Sequence, residues 1–141
     1  MADYRFGETA YEYLDKITAL CKEKGVELIL IKAPSLYPYW YDEWEVQMEE
    51  YAAKHGLRYI NFLELIEECE LDFMTDTYDA GLHLNLSGAE KITRWFGEYL
   101  TKECGINSRR GEEKLEKAWE EKLSAYYAEM ERQKKEWEEQ Q

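Results

Sequence analysis

The stretch Lys24-Gly-Val-Glu-Leu-Ile-Leu-Ile-Lys-Ala-Pro34 (KGVELILIKAP) decides the fold class of this 141-residue chain. Gly25 stands where a helix C-cap glycine belongs, because only glycine adopts a left-handed backbone without a Cβ penalty. Val26 to Ile31 is an almost continuous apolar run of strand length. A run without alternation suits a parallel strand covered on both faces, and Ala33-Pro34 ends it. Upstream, residues 8–24 (ETAYEYLDKITALCKEK) place Ala10, Tyr13, Leu14, Ile17, Leu20 and Cys21 at helical spacing. Downstream, a Pro-broken aromatic loop, Leu36–Tyr41, leads into a helix over about 42–55, which stops at His55-Gly56. Leu57-Arg-Tyr-Ile-Asn-Phe62 then reads as a second strand. Helix, strand, helix, strand, with glycine at each helix-to-strand corner, predicts an α/β chain with a parallel sheet.

A short helix is expected near 63–68. The loop Asp76–Leu86 follows, and Ser87-Gly-Ala-Glu90 has the form of a capping box opening a helix through about Glu103. Its apolar face is Ile92, Trp95, Phe96, Tyr99 and Leu100. Gly105–Gly111 reads as a linker. A charged amphipathic helix runs from Glu112 to the end, with Leu115, Trp119, Leu123, Tyr126, Tyr127 and Met130 along one stripe. The domain reading is therefore residues 1–107 as an α/β part and 108–141 as a C-terminal helix. Two parallel strands are too few for an independent open sheet, and their outer edges need cover. That cover is expected from the terminal helix, from another chain, or from further parts of a larger domain.

Composition narrows the function classes. Net charge is −13, from 31 acidic and 18 basic side chains. Such a surface repels nucleic acid and anionic membranes, since phosphate binding needs a basic footprint. The longest apolar run, around Leu28–Ile31, is too short for a membrane span, and no secretory leader is expected. Cys21, Cys69 and Cys104 form no CxxC pair, so free thiols are expected and zinc is not. No metal or other cofactor is expected. The rings of Tyr37, Tyr39, Trp40 and Trp44 are a candidate carbohydrate surface, against the commoner use of such rings in packing.

The chemistry lies in Asp76-Thr-Tyr-Asp-Ala-Gly-Leu-His-Leu-Asn-Leu-Ser-Gly-Ala-Glu90 (DTYDAGLHLNLSGAE). Histidine is the usual general base near neutral pH, and it needs a carboxylate on one ring nitrogen and a nucleophile on the other side. Asp79 lies four residues before His83, with Gly81 between them to let the loop turn. Asp76 is the second candidate acid. With no other histidine or thiol nearby, the loop does not read as a metal site. His55, at a helix end, reads as a partner for the helix dipole.

The segment Asp79–Ala89 (DAGLHLNLSGA) resembles the last conserved block of SGNH/GDSL hydrolases, in which an Asp and a His precede Leu-Asn-x-x-Gly-Ala and a helix. Lys24–Pro34 is similar to that family's helix, glycine, apolar strand and proline segment, and Tyr59-Ile-Asn-Phe62 to its next strand. Arg109-Arg110-Gly111 before a Trp- and Tyr-bearing helix resembles the C-terminal extension of a Gram-positive, DltD-related surface branch. Together these cover about residues 8–130. The resemblance implies a three-layer, flavodoxin-like α/β fold, here only its C-terminal half, and hydrolysis or transfer of esters, often acyl groups on sugars. It implies His83 as general base and Asp79 as orienting acid. The family spaces the pair Asp-x-x-His, one residue closer than here, which keeps Asp76 in play. It also implies a bacterial cell-surface location for a full-length parent.

No Gly-Asp-Ser nucleophile block occurs in the sequence, nor the Gly-x-Asn-Asp block that donates to the oxyanion hole. Ser35, just after the first strand, is the one remaining candidate nucleophile, although a turn role after Pro34 fits it better. The expectation is an acyl-ester hydrolase or transferase fragment, inactive alone, with an ester or acylated carbohydrate as substrate. The other expectation is a non-catalytic binding or assembly module. Either way the partner is a second copy of the chain or a complementing N-terminal half.

Overall fold

A computed structural model of the chain describes residues 4–138. It is a mixed α/β structure in the order α1 (Glu8–Lys24), β1 (Ile29–Lys32), α2 (Asp42–His55), β2 (Arg58–Asn61), α3 (Leu86–Glu103) and α4 (Glu113–Glu138). β1 and β2 pair in parallel, with Ile29 opposite Arg58 and Ile31 opposite Ile60. Both strands are shorter than their apolar runs, because the residues after each helix first complete its C-terminal turn. Gly25 has φ 65°, and the Val26 N–H reaches back to the Cys21 carbonyl at 2.9 Å. Gly56 and Leu57 repeat the arrangement, Leu57 donating to Ala52 at 2.9 Å. Both are Schellman caps, which satisfy the last helical carbonyls and turn the chain into the sheet.

The chain divides into two compact units, Met1–Gly97 and Glu98–Gln141, and the division falls inside α3. In the first unit, α1 and α2 lie side by side. The Tyr51 hydroxyl donates to Asp15 at 2.8 Å and sits 3.1 Å from the Thr18 hydroxyl. Gln47 ties the incoming chain to α2, accepting from the Phe6 N–H and donating to the Tyr4 carbonyl, each at 3.0 Å. Glu45 of α2 accepts hydrogen bonds from Trp40, Tyr59 and Asn61. Tyr59 and Asn61 therefore face α2, and by strand alternation Ile60 and Phe62 face the other way. Phe62 meets Trp95 of α3 edge-on at 5.3 Å. The buried apolar core is small: Tyr51, Ala52, Ile60, Phe62, Cys69 and Leu71.

The helix expected over 63–68 is instead a chain of turns. One α-type bond forms, from the Cys69 N–H to Leu65 at 2.8 Å. Glu70 then takes φ 55°, and the Leu71 N–H reaches back to Ile66. A single turn fixes several dihedrals for one hydrogen bond, and here burial of Cys69 and Leu71 stops its extension.

In the second unit, Gly105 has φ 66°, and the Ile106 N–H returns to the Leu100 carbonyl at 3.1 Å. Arg109 grips Glu112 with two 2.7 Å bonds just before α4. Along α4, Leu115 and Met130 are half-buried, whereas Trp119, Leu123, Tyr126 and Tyr127 are exposed. Among the described residues, no helix is long and apolar enough to cross a membrane.

Candidate acid–base loop

The loop is built on one antiparallel bridge, Thr77 opposite Leu84. The Tyr78 N–H donates to the His83 carbonyl at 3.0 Å, and the Asn85 N–H to the Asp76 carbonyl at 2.9 Å. Between these bonds the chain must reverse within Asp79–Leu82. Ala80 and Gly81 do so with φ of 55° and 110°. Gly81 is also pinned from both sides. Its N–H donates to the Thr77 hydroxyl at 2.8 Å, and its carbonyl accepts from the Leu36 N–H at 2.7 Å. A Cβ at Gly81 would stand 2.6 Å from a Leu36 methyl. Leu36 belongs to the segment that leaves the carboxyl end of β1. The loop therefore sits on the side of the parallel sheet where α/β sites gather.

Within the turn, Asp79 uses both carboxylate oxygens. One accepts the N–H groups of Leu82 at 3.1 Å and His83 at 2.7 Å. The other lies 2.6 Å from Nδ1 of the His83 ring. The bond to His83, with the backbone donors behind it, holds the Asp79 carboxyl below its ordinary range. An ionised Asp79 on Nδ1 selects the Nδ1–H tautomer and leaves the Nε2 lone pair outward. The His83 side chain is 71 % exposed, so Nε2 faces solvent. Among the described residues, no hydroxyl or thiol is bonded to it.

Asp76 has a different role. Its side chain is 2 % exposed, and the carboxylate accepts from Lys91 Nζ at 2.6 Å and from the Asp72 N–H at 2.9 Å. The nearby Ser87 hydroxyl also lowers its carboxyl. These donors, Lys91 foremost, hold its carboxyl at about 2. Of the two candidate acids, Asp79 is the one on the imidazole, while Asp76 anchors the loop to α3.

The start of α3 departs from the capping box. The helix begins at Leu86, and its cap is Asn85, whose side-chain oxygen accepts the Gly88 N–H at 3.2 Å. The Asn85 amide also donates to the Thr75 carbonyl at 2.7 Å. Ser87 lies inside the first turn and is exposed. Gly88 is required for space, since a Cβ there would come 2.4 Å from the Asp76 carbonyl oxygen. Leu-Asn-x-x-Gly is thus one packing unit that clamps the loop to the helix.

Ser35 donates its hydroxyl to the Tyr37 carbonyl at 2.6 Å and closes a turn. Of the four aromatic candidates, Trp40 and Trp44 are engaged with Phe6, and Trp44 with Tyr41, at 4.9–6.1 Å. Tyr37 and Tyr39 remain exposed. His55 ends α2 with its ring stacked on Tyr51 at 4.2 Å, and its Nε2 is buried without a hydrogen-bond partner among the described residues. Cys69 is buried, and its thiol is pushed up to about 11, so it is not a nucleophile at neutral pH. Lys91 and Thr77 carry the loop's architecture without any local signature in sequence. Asp76 and Lys91 are too far apart in the chain for a helical or hairpin spacing to suggest their pairing.

No family model matches the chain, and neither a curated protein nor a solved structure matches it.

Proposed function

We propose that Asp79 and His83 form the acid–base arm of an acyl-ester hydrolase or transferase of the SGNH/GDSL type. The chain would correspond to the C-terminal half of a three-layer, flavodoxin-like domain. The observation that carries this reading is the 2.6 Å contact between Asp79 and Nδ1 of His83, in a turn on the carboxyl side of a parallel sheet. In that arrangement Nε2 takes the proton of an attacking hydroxyl and returns it to the leaving group, while Asp79 fixes the tautomer and stabilises the imidazolium. The substrate class is an ester or an acylated carbohydrate. Nucleophile and oxyanion donors would come from polypeptide outside this sequence. Losing a single oxyanion donor lowers rates by about 10²–10³, so the chain alone is not a competent esterase.

Two measurements test the reading. Proton–nitrogen spectra of neutral His83 are expected to show the Nδ1–H tautomer, and Asp79→Asn to lose that preference. With p-nitrophenyl acetate, the chain is expected to give only slow, non-saturating release that falls to background in His83→Ala. An Nε2–H tautomer, or saturable turnover that survives His83→Ala, would overturn the assignment.

A further inference from the structure

Side-chain cover differs between the two strands, β1 being the more open. Ile31 and Ile60 are register partners on the same face of the sheet, yet Ile31 is 46 % exposed and Ile60 only 5 %. After β2, the turns over 62–71 carry Phe62, Cys69 and Leu71, all buried, and Phe62 meets Trp95 of α3. The sheet has two strands, so among the described residues the outer edges of β1 and β2 both lack a partner strand, and the two sides differ in side-chain cover. The Lys32 carbonyl is turned to β2, where it accepts the Phe62 N–H at 3.0 Å. The N–H and C=O of Ile31 and Ile29 therefore point away from β2, toward the open side.

Helix α1 packs on α2 through Tyr11, Asp15 and Thr18 and leaves an open apolar stripe. Tyr11, Leu14, Thr18 and Cys21 are half-buried, but the neighbouring stripe of Tyr13, Ile17 and Leu20 is 48–60 % exposed. A groove of about 280 Å³ runs beneath α1, with Ala10, Tyr13, Leu14 and Ile17 facing Met48. Met48 lies between Glu45 and Ala52 on the side of α2 that meets the sheet, so the groove opens on the sheet side of the helix pair. Helices α1 and α2 share one face. Because about 98 % of parallel crossovers are right-handed, a strand that α1 would cover belongs beside β1, opposite β2. Tyr4 and Phe6 do not supply it, since both are tied to Gln47 of α2.

We propose that the β1 edge and the underside of α1 form one docking surface for a strand of another polypeptide, running parallel to β1. The slot is roofed by α1 on one face and flanked by exposed Ile31 on the other. The incoming strand is therefore a continuous aliphatic run like β1 itself, not an alternating one. Its flanks are basic, because this chain carries a net charge of −13. The same charge opposes pairing with a second copy, which about a two-fold axis would set β1 against β1 in antiparallel fashion. The proposal goes beyond the ester chemistry and holds whether or not His83 is catalytic.

The test uses the full chain and a labelled synthetic peptide with a run of about five valines and isoleucines flanked by lysines. Fluorescence anisotropy is expected to show binding that weakens with salt. Hydrogen exchange at the Ile29 and Ile31 amides is expected to slow at least tenfold, with the amides of β2 little changed. Ile31→Pro removes an outward donor at an edge position that tolerates proline, and it should abolish binding. Should that variant fail to fold, Ile17→Glu with Leu20→Glu alters only exposed positions and should weaken binding at least tenfold. Equal binding of a peptide with a central proline, or no binding with unchanged exchange, overturns the proposal. A dimer in sedimentation with the same amides already protected overturns it in favour of a second copy.

Discussion

Asp76 and Asp79 stand three positions apart and are used in opposite ways. Asp76 faces inward, and its depressed carboxyl stores stability in the bonds from Lys91 and Asp72. A carboxyl whose folded value lies below its unfolded value stabilises fully above the unfolded value, and that contribution is lost as pH falls through the folded one. Urea midpoints followed by tryptophan fluorescence should therefore fall as pH drops from about 4 toward about 2. Asp76→Ala leaves the Lys91 ammonium only the Glu70 carbonyl and should cost about 3 kcal/mol at neutral pH. It should also flatten that acid limb. The Asp79 carboxyl is lowered too, chiefly by His83, but its side chain is 40 % exposed and screened by water. Asp79→Asn should move the urea midpoint far less than Asp76→Ala.

At the scale of elements, the start of α3 separates two residues that look equivalent in sequence. Asn85 holds both the Gly88 N–H and the Thr75 carbonyl, so Asn85→Ala should cost about 1–2 kcal/mol. Ser87→Ala, at an exposed position inside the first turn, should change stability by no more than about 0.5 kcal/mol, with less fraying of the helix start by circular dichroism. Either side chain has the chemistry of a cap, and the Ser-x-x-Glu spacing favours Ser87. The choice is made by the Thr77–Leu84 bridge, which holds the Asn85 N–H on the Asp76 carbonyl and lets the helix start at Leu86. The Schellman corners were legible, because Gly25 and Gly56 need only local backbone physics. So was the Asp79–His83 contact, which one turn can close. The turns over 62–71 were not legible: Leu63, Leu65 and Ile66 suit a helix, and only the burial of Cys69 and Leu71 ends it. Nor was the Asp76–Lys91 pair, which exists only once the loop and α3 are clamped together.

Across the whole molecule, 31 acidic side chains on 141 residues set up a self-repulsion that salt relieves. The thermal midpoint should rise by a few degrees between about 20 and 200 mM sodium chloride. A flat or falling response would mean that attractive ion pairs outweigh the repulsion. Expectation and structure part where burial depends on what lies beside a strand: β1 reads as a fully covered strand, yet Ile31 is open to solvent. The chain also holds only two imidazoles, and the fold treats them unequally. Nε2 of His55 is shut between α1 and α2, whereas that of His83 projects from its turn. An acylating reagent such as diethyl pyrocarbonate should therefore find one target in the native protein and two after unfolding. Mass spectrometry of the labelled chain would then give a direct chemical count of how many histidines the folded surface offers.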